Sequence, residues 1–473
     1  MRIGRTLSVR LSHDWGRGTA VFDDENLVSC AGLVPVMALA EQTGLPDMLS
    51  ERVVFRSERI RSGAANPAPK LTAVIAGMAV GADSVDDLDV IRAGGMKELF
   101  GAVYAPSTLG ILLREFTQGH ARQLSAVLRG HLLALTARTG VLDGIEELAL
   151  VDIDSLLRPV YGHAKQGASF GHTKIANRQV LRKGLSPLVT TISTGTSAPV
   201  IAGIRLRAGK AGSGKGAASM ITEAINTAKA AGAKNILVRG DSAYGNGKVI
   251  AAVVKAGAKF SFVLAKQPSV NRAIGAIADD AWTPVHYPGA VTDPDTGELI
   301  SDAEVAEIEY TAFASTTEKI TARLIVRRVR DRNHPDELFP VWRYHPFFTN
   351  STEPVTDADI THRQHAIIES VFADVIDGPL AHLPSGSFSA NSAWTVLAAI
   401  THNLLRAAGT LAGKAQARAR GATLRRQLVN VPARIARPQG KHTLHLPAHW
   451  PQATPWKALW NNTFTTDTRQ VAA

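Results

Sequence analysis

Short apolar runs that alternate with helical segments constrain the fold of this 473-residue chain more than any other feature. Between residues 147 and 264 three β-branched or aliphatic runs come first, and two segments of helical periodicity separate the later runs. The order three strands, helix, strand, helix, strand predicts a layered α/β core. The predicted strands cover residues 148–153, 188–193, 200–206, 235–238 and 260–264, and the predicted helices cover 217–231 and 248–256.

The segments on either side of this core have a different texture. Apolar residues recur at helical spacing within 27–140, whereas 266–355 alternates in polarity and predicts an antiparallel, β-rich insertion. Helical pattern returns at 361–376 and 392–412. The predicted domains are a helical N-terminal domain (1–140), the first part of the core (141–265), the β-rich insertion (266–355), the rest of the core (356–412) and a basic, aromatic C-terminal tail (413–473).

Charge and cysteine content narrow the class of protein. The chain has 52 Lys and Arg against 41 Asp and Glu, a net charge of +11, which favours a polyanionic partner such as nucleic acid. Its one cysteine, Cys30, excludes a disulfide framework and any multi-cysteine metal site. The sequence contains neither the apolar core of a signal peptide nor an apolar run as long as a membrane span. We therefore expect a cytoplasmic protein.

Two aspartates stand where predicted strands end. Asp154 closes the run ALVDID and Asp241 closes ILVRGD, and open α/β folds bind ligands at the carboxyl edge of the sheet. Each aspartate could instead begin a turn or cap a helix. A third acid, Glu369, lies on the predicted helix 361–376. Together the three could supply hard oxygen ligands for Mg²⁺, because clustered carboxylates repel one another unless a cation neutralises them.

The sequence around these acids resembles that of a known family. The motifs are DIDSLL at Asp154, VRGDSAYG at Asp241 and HRQHAIIESVFAD at Glu369, with gaps of 87 and 128 residues between the acids. They resemble the three-acid signature of bacterial insertion-sequence transposases of DDE type, in particular the insertion-sequence-1380 group. That resemblance implies a ribonuclease-H-like core, a mixed sheet with flanking helices, interrupted by a β-rich insertion ahead of the glutamate helix.

The resemblance also implies a reaction and its partners. Asp154, Asp241 and Glu369 would hold two Mg²⁺ ions, for which Mn²⁺ would substitute, and would cut double-stranded DNA at the terminal inverted repeats of the element. The freed 3′ ends would then be joined to target DNA without a covalent protein–DNA intermediate. Joining two ends implies at least a dimer on DNA. The helical N-terminal domain and the basic tail are expected to bind the repeats.

The assignment of individual residues leaves one choice open. Asp152 lies two residues before Asp154, so both point to the same face of the strand, and position alone does not separate them. The resemblance selects Asp154, because relatives place the first acid directly ahead of a small polar residue. Relatives also carry a phosphate-binding Arg four residues before the glutamate and a Lys seven after it, where this chain has His365 and Ile376. Arg363 lies close to the expected Arg position.

The β-rich insertion supplies further candidates for DNA contact. Arg323, Arg327 and Arg328 form a basic stripe that could follow a phosphate backbone, or could instead protect an exposed strand edge. Trp342 could stack on an unpaired base or could belong to the core of the insertion. With Arg363 and His365, these are the predicted DNA-binding residues.

A glycine-rich segment at 209–216 nearly matches a nucleotide-binding phosphate loop. The match fails at Gly216, which has no hydroxyl for Mg²⁺, so the segment is interpreted as a flexible basic loop.

Two alternatives to the transposase interpretation remain open. One is a ribonuclease-H-like nuclease without strand transfer, which needs the same metal site. The other is a non-catalytic DNA-binding protein derived from a transposase, which the residues at 365 and 376 keep open.

Overall fold

The computed structural model describes residues 19–55, 63–101, 103–162, 164–175, 178–286, 303–330 and 341–465. Parts of the predicted N-terminal domain (1–18, 56–62), of the predicted insertion (287–302, 331–340) and of the predicted tail (466–473) lie outside the described residues. In the described part of the chain, no helix combines the length and the apolar character needed to cross a lipid bilayer.

Helices and strands are numbered here in chain order. The strands are β1 (Leu27–Val28), β2 (Ala149–Ser155), β3 (Arg158–Pro159), β4 (Ser169–Ile175), β5 (Arg178–Leu185), β6 (Leu188–Ser193), β7 (Val200–Arg205), β8 (Ile236–Gly240), β9 (Lys259–Val263), β10 (Thr283–Pro284), β11 (Ala303–Ala312), β12 (Ile320–Arg330), β13 (Trp342–Thr349), β14 (Ala433–Ala436) and β15 (Thr443–His445). The helices are α1 (Leu33–Gln42), α2 (Leu45–Arg52), α3 (Pro67–Val80), α4 (Pro106–Arg114), α5 (Gln118–Thr139), α6 (Ala217–Ala230), α7 (Gly247–Lys255), α8 (Pro268–Gly275), α9 (Val355–Arg363), α10 (Ile368–Ile376), α11 (Phe388–Ala412), α12 (Lys414–Ala417), α13 (Gly421–Leu424) and α14 (Ala453–Phe464). Three-ten turns occur at Asp86–Arg92, Gly94–Leu99, Asp279–Ala281, Gln364–Ile367 and Pro438–Gly440, and a π-helical turn at Arg425–Val429.

A mixed sheet forms the centre of the molecule. In the described residues its nine strands have the order β10-β11-β12-β13-β9-β8-β2-β6-β7. Strand β8 runs parallel to both β2 and β9, whereas the other neighbouring strands pair antiparallel. The five apolar runs expected to be strands are β2, β6, β7, β8 and β9, with α6 and α7 between the later ones. The predicted α/β class is confirmed.

The strands after α8 extend the same sheet. Long antiparallel pairings join β11 to β12 and β12 to β13, and β13 pairs with β9. Leu324 and Val326 are buried on one face of β12. On the other face Ile325 is buried against Ala358 of α9, between the half-buried Arg323 and Arg327. The region predicted as an insertion therefore shares one continuous sheet with the core.

Helix α11 lies at the centre of the helical layer. Its residues are buried around almost the whole circumference, which is typical of a helix enclosed by other elements. It packs against α3, α5, α14 and β7. Asn403 fixes its position on the sheet, because the Asn403 side chain accepts from the backbone N–H of Ile201 and donates to the Ile201 carbonyl, both at 2.8 Å.

The C-terminal segment packs onto the rest of the chain. Strand β14 pairs with β1 near the N-terminus, and α14 packs against α1 and α11. Trp456 and Leu459 of α14 are buried. The aromatic residues of the predicted tail therefore contribute to the core of the helical layer, and removing them would expose apolar surface.

One small sheet was not predicted from the sequence. Strands β4 and β5 form an antiparallel hairpin, and β3 pairs with β5 to complete a three-stranded sheet apart from the central one. This hairpin lies between β2 and β6 in the chain, beside the end of β2 that carries Asp154.

Candidate active site

The three predicted acids line one cavity of about 730 Å³. Strands β2 and β8 are parallel and Ile153 pairs with Gly240, so the next residues, Asp154 and Asp241, stand side by side where the two strands end. Glu369 enters the cavity from the first turn of α10. The fold therefore brings three carboxylates from separate parts of the chain to the carboxyl edge of the sheet.

Asp152 and Asp154 differ in their surroundings although they share a strand face. The Asp152 side chain is 1% exposed and forms a bidentate ion pair with Arg239, which donates from Nε and Nη2 at 2.8 Å to each carboxylate oxygen. Arg239 also donates to the Thr361 carbonyl at 2.6 Å and so connects β8 to α9. Both Asp152 oxygens are thus bound to a buried guanidinium, whereas Asp154 is half-buried and lies nearer the strand end. This geometry favours Asp154 over Asp152 as the acid available to a ligand.

Backbone amides orient two of the carboxylates. The Ser155 N–H donates to Asp154 Oδ1 at 2.6 Å, and the Ala243 N–H donates to Asp241 Oδ1 at 2.9 Å. The Asp241 contact is a turn stabilised by the aspartate side chain, which is the arrangement expected for Asp directly after a strand. Glu369 and Asp241 are exposed, and no ion pair with a described residue involves either.

The chemistry of the three side chains suits a divalent cation. Asp154, Asp241 and Glu369 offer carboxylate oxygens, which are the ligands that Mg²⁺ prefers. The described residues contain no group of three His, Cys, Asp or Glu side chains close enough to enclose a metal ion. The three carboxylates are therefore the kind of ligand that Mg²⁺ requires, and the side chains would have to move closer together to bind it.

Tyr244 lies in the cavity wall and was not singled out from the sequence. It is buried, and burial raises the pKa of its phenol well above the usual value, with the carboxylates of Asp154 and Asp241 adding to that effect. The motif DSAYG, which places an aromatic residue three positions after Asp241, is the signal that could have indicated it.

The helix predicted at 361–376 is interrupted. Helix α9 ends at Arg363, a three-ten turn spans Gln364–Ile367, and α10 begins at Ile368. His365 Nδ1 lies 2.6 Å from the His362 carbonyl oxygen, so the imidazole occupies an acceptor that the next helical turn would otherwise use. Residues 361–376 therefore do not form one continuous helix, and the prediction of a single 16-residue helix was wrong. His365, within the interruption, lies on the lining of the cavity.

His362 is buried and contributes to the packing of the fold. Its ring stacks on Phe347 with centroids 4.2 Å apart, and its Nδ1 lies 2.8 Å from Ser261 Oγ. Burial lowers the pKa of His362 well below the usual value, so the imidazole is neutral. It holds α9 against β9 and β13.

A second cavity, of about 380 Å³, adjoins the first and shares His365 with it. We call it the basic cleft, after the residues Lys266, Arg327, His345 and Arg363 on its lining. Burial lowers the pKa of His345, and the positive charge of Arg327 and Lys266 lowers it further. The basic cleft brings two of the predicted DNA-binding residues, Arg327 and Arg363, next to the cavity of the acids.

The other predicted DNA-binding residues make contacts within the sheet. Arg323 donates from Nε to Glu307 at 2.7 Å and from Nη1 to the carbonyls of Ser351 and Glu353. Arg328 pairs with Glu304 at 2.5 Å. The Arg328 guanidinium also lies 4.3 Å from the Trp282 ring centroid and 4.4 Å from that of Trp342. Both arginines and Trp342 therefore stabilise β11–β13, and their contact with DNA stays a prediction.

Comparison with known proteins identifies the family to which this chain belongs. The chain belongs to the family described as transposase DDE domain, group 1, whose model matches residues 17–465. The structure is also similar to the cryo-EM structure of a piggyBac transposase synaptic complex with hairpin DNA, with a TM-score of 0.40, 10% identity, 86% of this chain and 77% of that chain covered. A comparison with curated protein sequences gives no significant match. The predicted DDE transposase class is confirmed by the family, whose members are DNA-cleaving and DNA-transferring enzymes that generally use divalent metal ions.

Proposed function

We propose that this protein is a transposase of an insertion sequence that cleaves DNA at the element ends in the presence of Mg²⁺ and joins the 3′ ends to target DNA. The observation that carries the proposal is the meeting of Asp154, Asp241 and Glu369 on one cavity at the carboxyl edge of β2 and β8. Each acid comes from a different element, in the order expected of a DDE protein.

The strand order supports a ribonuclease-H-like core. Within the sheet, the five core strands lie in the order β7-β6-β2-β8-β9, so the first core strand of the chain, β2, lies in the middle. Strands β2, β6 and β7 pair antiparallel in succession, and β8 and β9 run parallel to β2. Strands β11–β13 fall between this core and the glutamate, as the resemblance to the insertion-sequence-1380 group implies. We retain that group as the proposed assignment within the family.

The residues of the chain then have distinct tasks. Asp154, Asp241 and Glu369 would hold two divalent cations. The chemistry supplied by bound Mg²⁺, for which Mn²⁺ is expected to substitute, is activation of a water or 3′-hydroxyl and stabilisation of charge on the leaving 3′ oxygen. The amides of Ser155 and Ala243 orient two of the carboxylates before metal binds.

Positive side chains beside the cavity would position the DNA. Arg327 and Arg363 line the basic cleft, and His365 lies between the cleft and the cavity. These three side chains would contact phosphates on either side of the reacting one. The proposed substrates are double-stranded DNA with terminal inverted repeats and a target duplex, bound by at least a dimer. Arg323, Arg328 and Trp342 remain weaker candidates, because their contacts within the sheet would have to be kept or exchanged.

The test of the proposal is the loss of cleavage in three isosteric variants. Asp154→Asn, Asp241→Asn and Glu369→Gln should each lower Mg²⁺-dependent cleavage roughly thousand-fold, because several kcal/mol of charge stabilisation are lost with the metal. The substrate is a plasmid in which the genomic flanks of the coding sequence bracket a marker. DNA binding and the unfolding midpoint should stay close to wild type. A variant that cleaves normally would remove its residue from the site.

Asp152→Asn is the matched control on the same strand face. It should lower the unfolding midpoint, because Arg239 loses its buried partner. An inactive but normally stable Asp152→Asn protein, together with an active Asp154→Asn protein, would show that the first acid is Asp152.

Strand joining separates the transposase from a nuclease. A pre-cleaved end with a free 3′-hydroxyl should become covalently attached to a plasmid by the wild-type protein. Cleavage without joining would support the ribonuclease-H-like nuclease, and binding without any metal-dependent reaction would support the non-catalytic DNA-binding protein.

A further inference from the structure

The β4–β5 hairpin lies in a stretch of the chain whose charged residues are all basic. From Ser155 to Thr222 the sequence contains no Asp or Glu. The same stretch contains ten basic residues: Arg158, Lys165, Lys174, Arg178, Arg182, Lys183, Arg205, Arg207, Lys210 and Lys215. A solvated surface normally carries both signs of charge, so this excess produces a positive potential that attracts a polyanion.

The hairpin forms one wall of the cavity that holds the acids. His172 and Thr173 of β4 and Arg182 of β5 line that cavity together with Asp154. Arg182 is exposed, so its guanidinium is available to a ligand. A positive side chain facing the three carboxylates is suited to hold the phosphates of a strand that enters between them.

The base of the hairpin is fixed by close backbone packing. A Cβ at Gly209 would lie 2.2 Å from the Ser169 carbonyl oxygen and 2.4 Å from that of Gly184, and one at Gly171 would lie 2.4 Å from the Gly209 oxygen. The Lys210 N–H donates to Ser169 Oγ at 2.8 Å. The absence of side chains at Gly171 and Gly209 lets the hairpin and the 209–216 segment touch through their backbones.

The 209–216 segment is itself held in place. Arg207 donates to the carbonyls of Gly212, Ser213 and Lys215 at 2.9–3.3 Å. The segment is a loop, as the sequence predicts, and the buried Arg207 guanidinium binds three of its carbonyls. The base of the hairpin packs against this loop.

The outer face of the hairpin combines apolar and positive side chains. Phe170 is 65% exposed and Leu181 is 57% exposed. Phe170 pairs across the strands with Lys183, and Leu181 pairs with His172, so all four side chains share one face. Large apolar side chains exposed beside cations fit a DNA surface, where they contact sugars and bases while the cations contact phosphates.

We propose that the β4–β5 hairpin is a DNA-binding arm that holds the duplex at the entrance of the cavity. Arg182 contacts a phosphate on the inner face, Lys183 contacts a phosphate on the outer face, and Phe170 and Leu181 contact the sugar edge beside it. The proposal deepens the proposed function and rests on it, since it assumes that the cavity receives DNA.

Salt dependence of binding tests the phosphate contacts. The probe is a fluorescein-labelled 30-base-pair duplex in buffer with EDTA, and binding is measured by anisotropy between 50 and 300 mM NaCl. Arg182→Ala/Lys183→Ala should make the slope of log K against log [salt] less steep by about 1.8, because each lost phosphate contact removes roughly 0.9. Lys234→Ala/Lys255→Ala, which removes two exposed lysines next to α6 and on α7, is the charge-matched control and should keep the wild-type slope.

Cross-linking tests the position of the hairpin on DNA. Cys30 is buried, so a Cys30→Ser background carrying Leu181→Cys presents a single thiol on the outer face. Coupled to a photoactivated cross-linker, this thiol should attach to the bound duplex, whereas Lys234→Cys in the same background should not. Equal unfolding midpoints of all variants establish that the hairpin changes leave the fold intact.

The outcomes separate the arm from the proposed function. Equal salt slopes for the hairpin variant and its control, or equal cross-linking at positions 181 and 234, overturn the arm while wild-type cleavage keeps the transposase proposal. A wild-type protein that neither binds nor cleaves DNA overturns both.

Discussion

Helix α10 carries two acids with opposite surroundings. Glu369, in its first turn, is exposed on the cavity, whereas Asp374 is buried five residues later. Asp374 accepts from Arg406 Nη2 at 2.7 Å, from Arg420 Nε at 2.5 Å and from the Gly421 N–H at 3.1 Å. Asp374 therefore joins α10 to α11 and α13, while Glu369 keeps its oxygens available.

The same contrast occurs on β2. Asp152 is bound on both oxygens by Arg239, and Asp154, two residues on, lies at the cavity. An acid whose oxygens are all occupied by arginines stabilises the fold, since breaking a buried ion pair leaves an uncompensated charge. An acid at the end of a strand or helix that borders the cavity can exchange water for a metal. The side chains around each acid therefore determine whether it stabilises the fold or borders the cavity, and the residue type alone does not.

Asp374→Asn should produce the largest loss of stability. The substitution leaves the buried Arg406 guanidinium without its counter-charge, which typically costs about 3–5 kcal/mol. The unfolding midpoint in urea should fall, while cleavage per folded molecule stays near wild type. Asp377→Asn is the matched control on the same segment, because the Asp377 side chain is exposed and its pair with Arg420 is 3.6 Å long. If Asp374→Asn lost cleavage at an unchanged midpoint, Asp374 would belong with the cavity acids.

Low pH should lower the stability of the fold through a buried histidine, His131. His131 lies 2.9 Å from Thr43 Oγ1, and burial lowers the pKa of His131 from 6.5 to about 4. The unfolded chain binds a proton at this residue below pH 6.5 and the folded chain does so only near pH 4. The stability that neutral His131 contributes is therefore present above pH 6.5 and is lost as pH falls towards 4, by about 3 kcal/mol.

His131→Gln should flatten that acid-induced loss. His382→Gln provides the comparison, since His382 is exposed on the surface beside Asp83. Unfolding midpoints measured from pH 8 to pH 4 give the two profiles. Parallel profiles for wild type and His131→Gln would mean that another buried group, such as His402, sets the acid limit.

Neighbouring arginines on β12 offer a smaller test of the same principle. Arg327 lies on the basic cleft and Arg328 is engaged by Glu304 and two tryptophans. Arg327→Ala should weaken DNA binding several-fold with little change in stability. Arg328→Ala should instead cost about 1 kcal/mol of stability, mainly from the lost cation–π contacts. An equal loss of DNA affinity in both variants would return Arg328 and Trp342 to the DNA-binding surface.

Much of the fold could be predicted from the sequence, because buried core strands appear there as short apolar runs. Short aliphatic or β-branched runs mark β2, β6 and β8, and the two aspartates lie at the ends of β2 and β8. The β4–β5 hairpin gave no such signal, since its apolar residues Phe170, Val180 and Leu181 are exposed. Its acid-free, basic composition was the available clue.

The residues of the candidate site could be proposed from the sequence, but the contacts that surround them could not. The three acids could be chosen from strand ends and motif resemblance. The choice between Asp152 and Asp154 could not be made from periodicity, because it depends on Arg239, which lies 87 residues away in the chain. The interruption of the glutamate helix depends likewise on a side chain, His365, that binds a backbone carbonyl. Both are tertiary or side-chain effects that a local pattern does not encode.

We propose that Asp154, Asp241 and Glu369 bind a divalent cation, whereas Asp152 and Asp374, which pair with buried arginines, do not. Replacement of Asp154 by cysteine tests it, because a thiolate is a poor ligand for Mg²⁺ and a better one for the softer Mn²⁺. Asp154→Cys should be inactive in Mg²⁺ and should recover cleavage in Mn²⁺, with a ratio of Mn²⁺ to Mg²⁺ activity at least about tenfold above that of wild type. Asp152→Cys should show the wild-type ratio. A wild-type ratio for Asp154→Cys, at an unchanged unfolding midpoint, would contradict the assignment of Asp154 as a metal ligand.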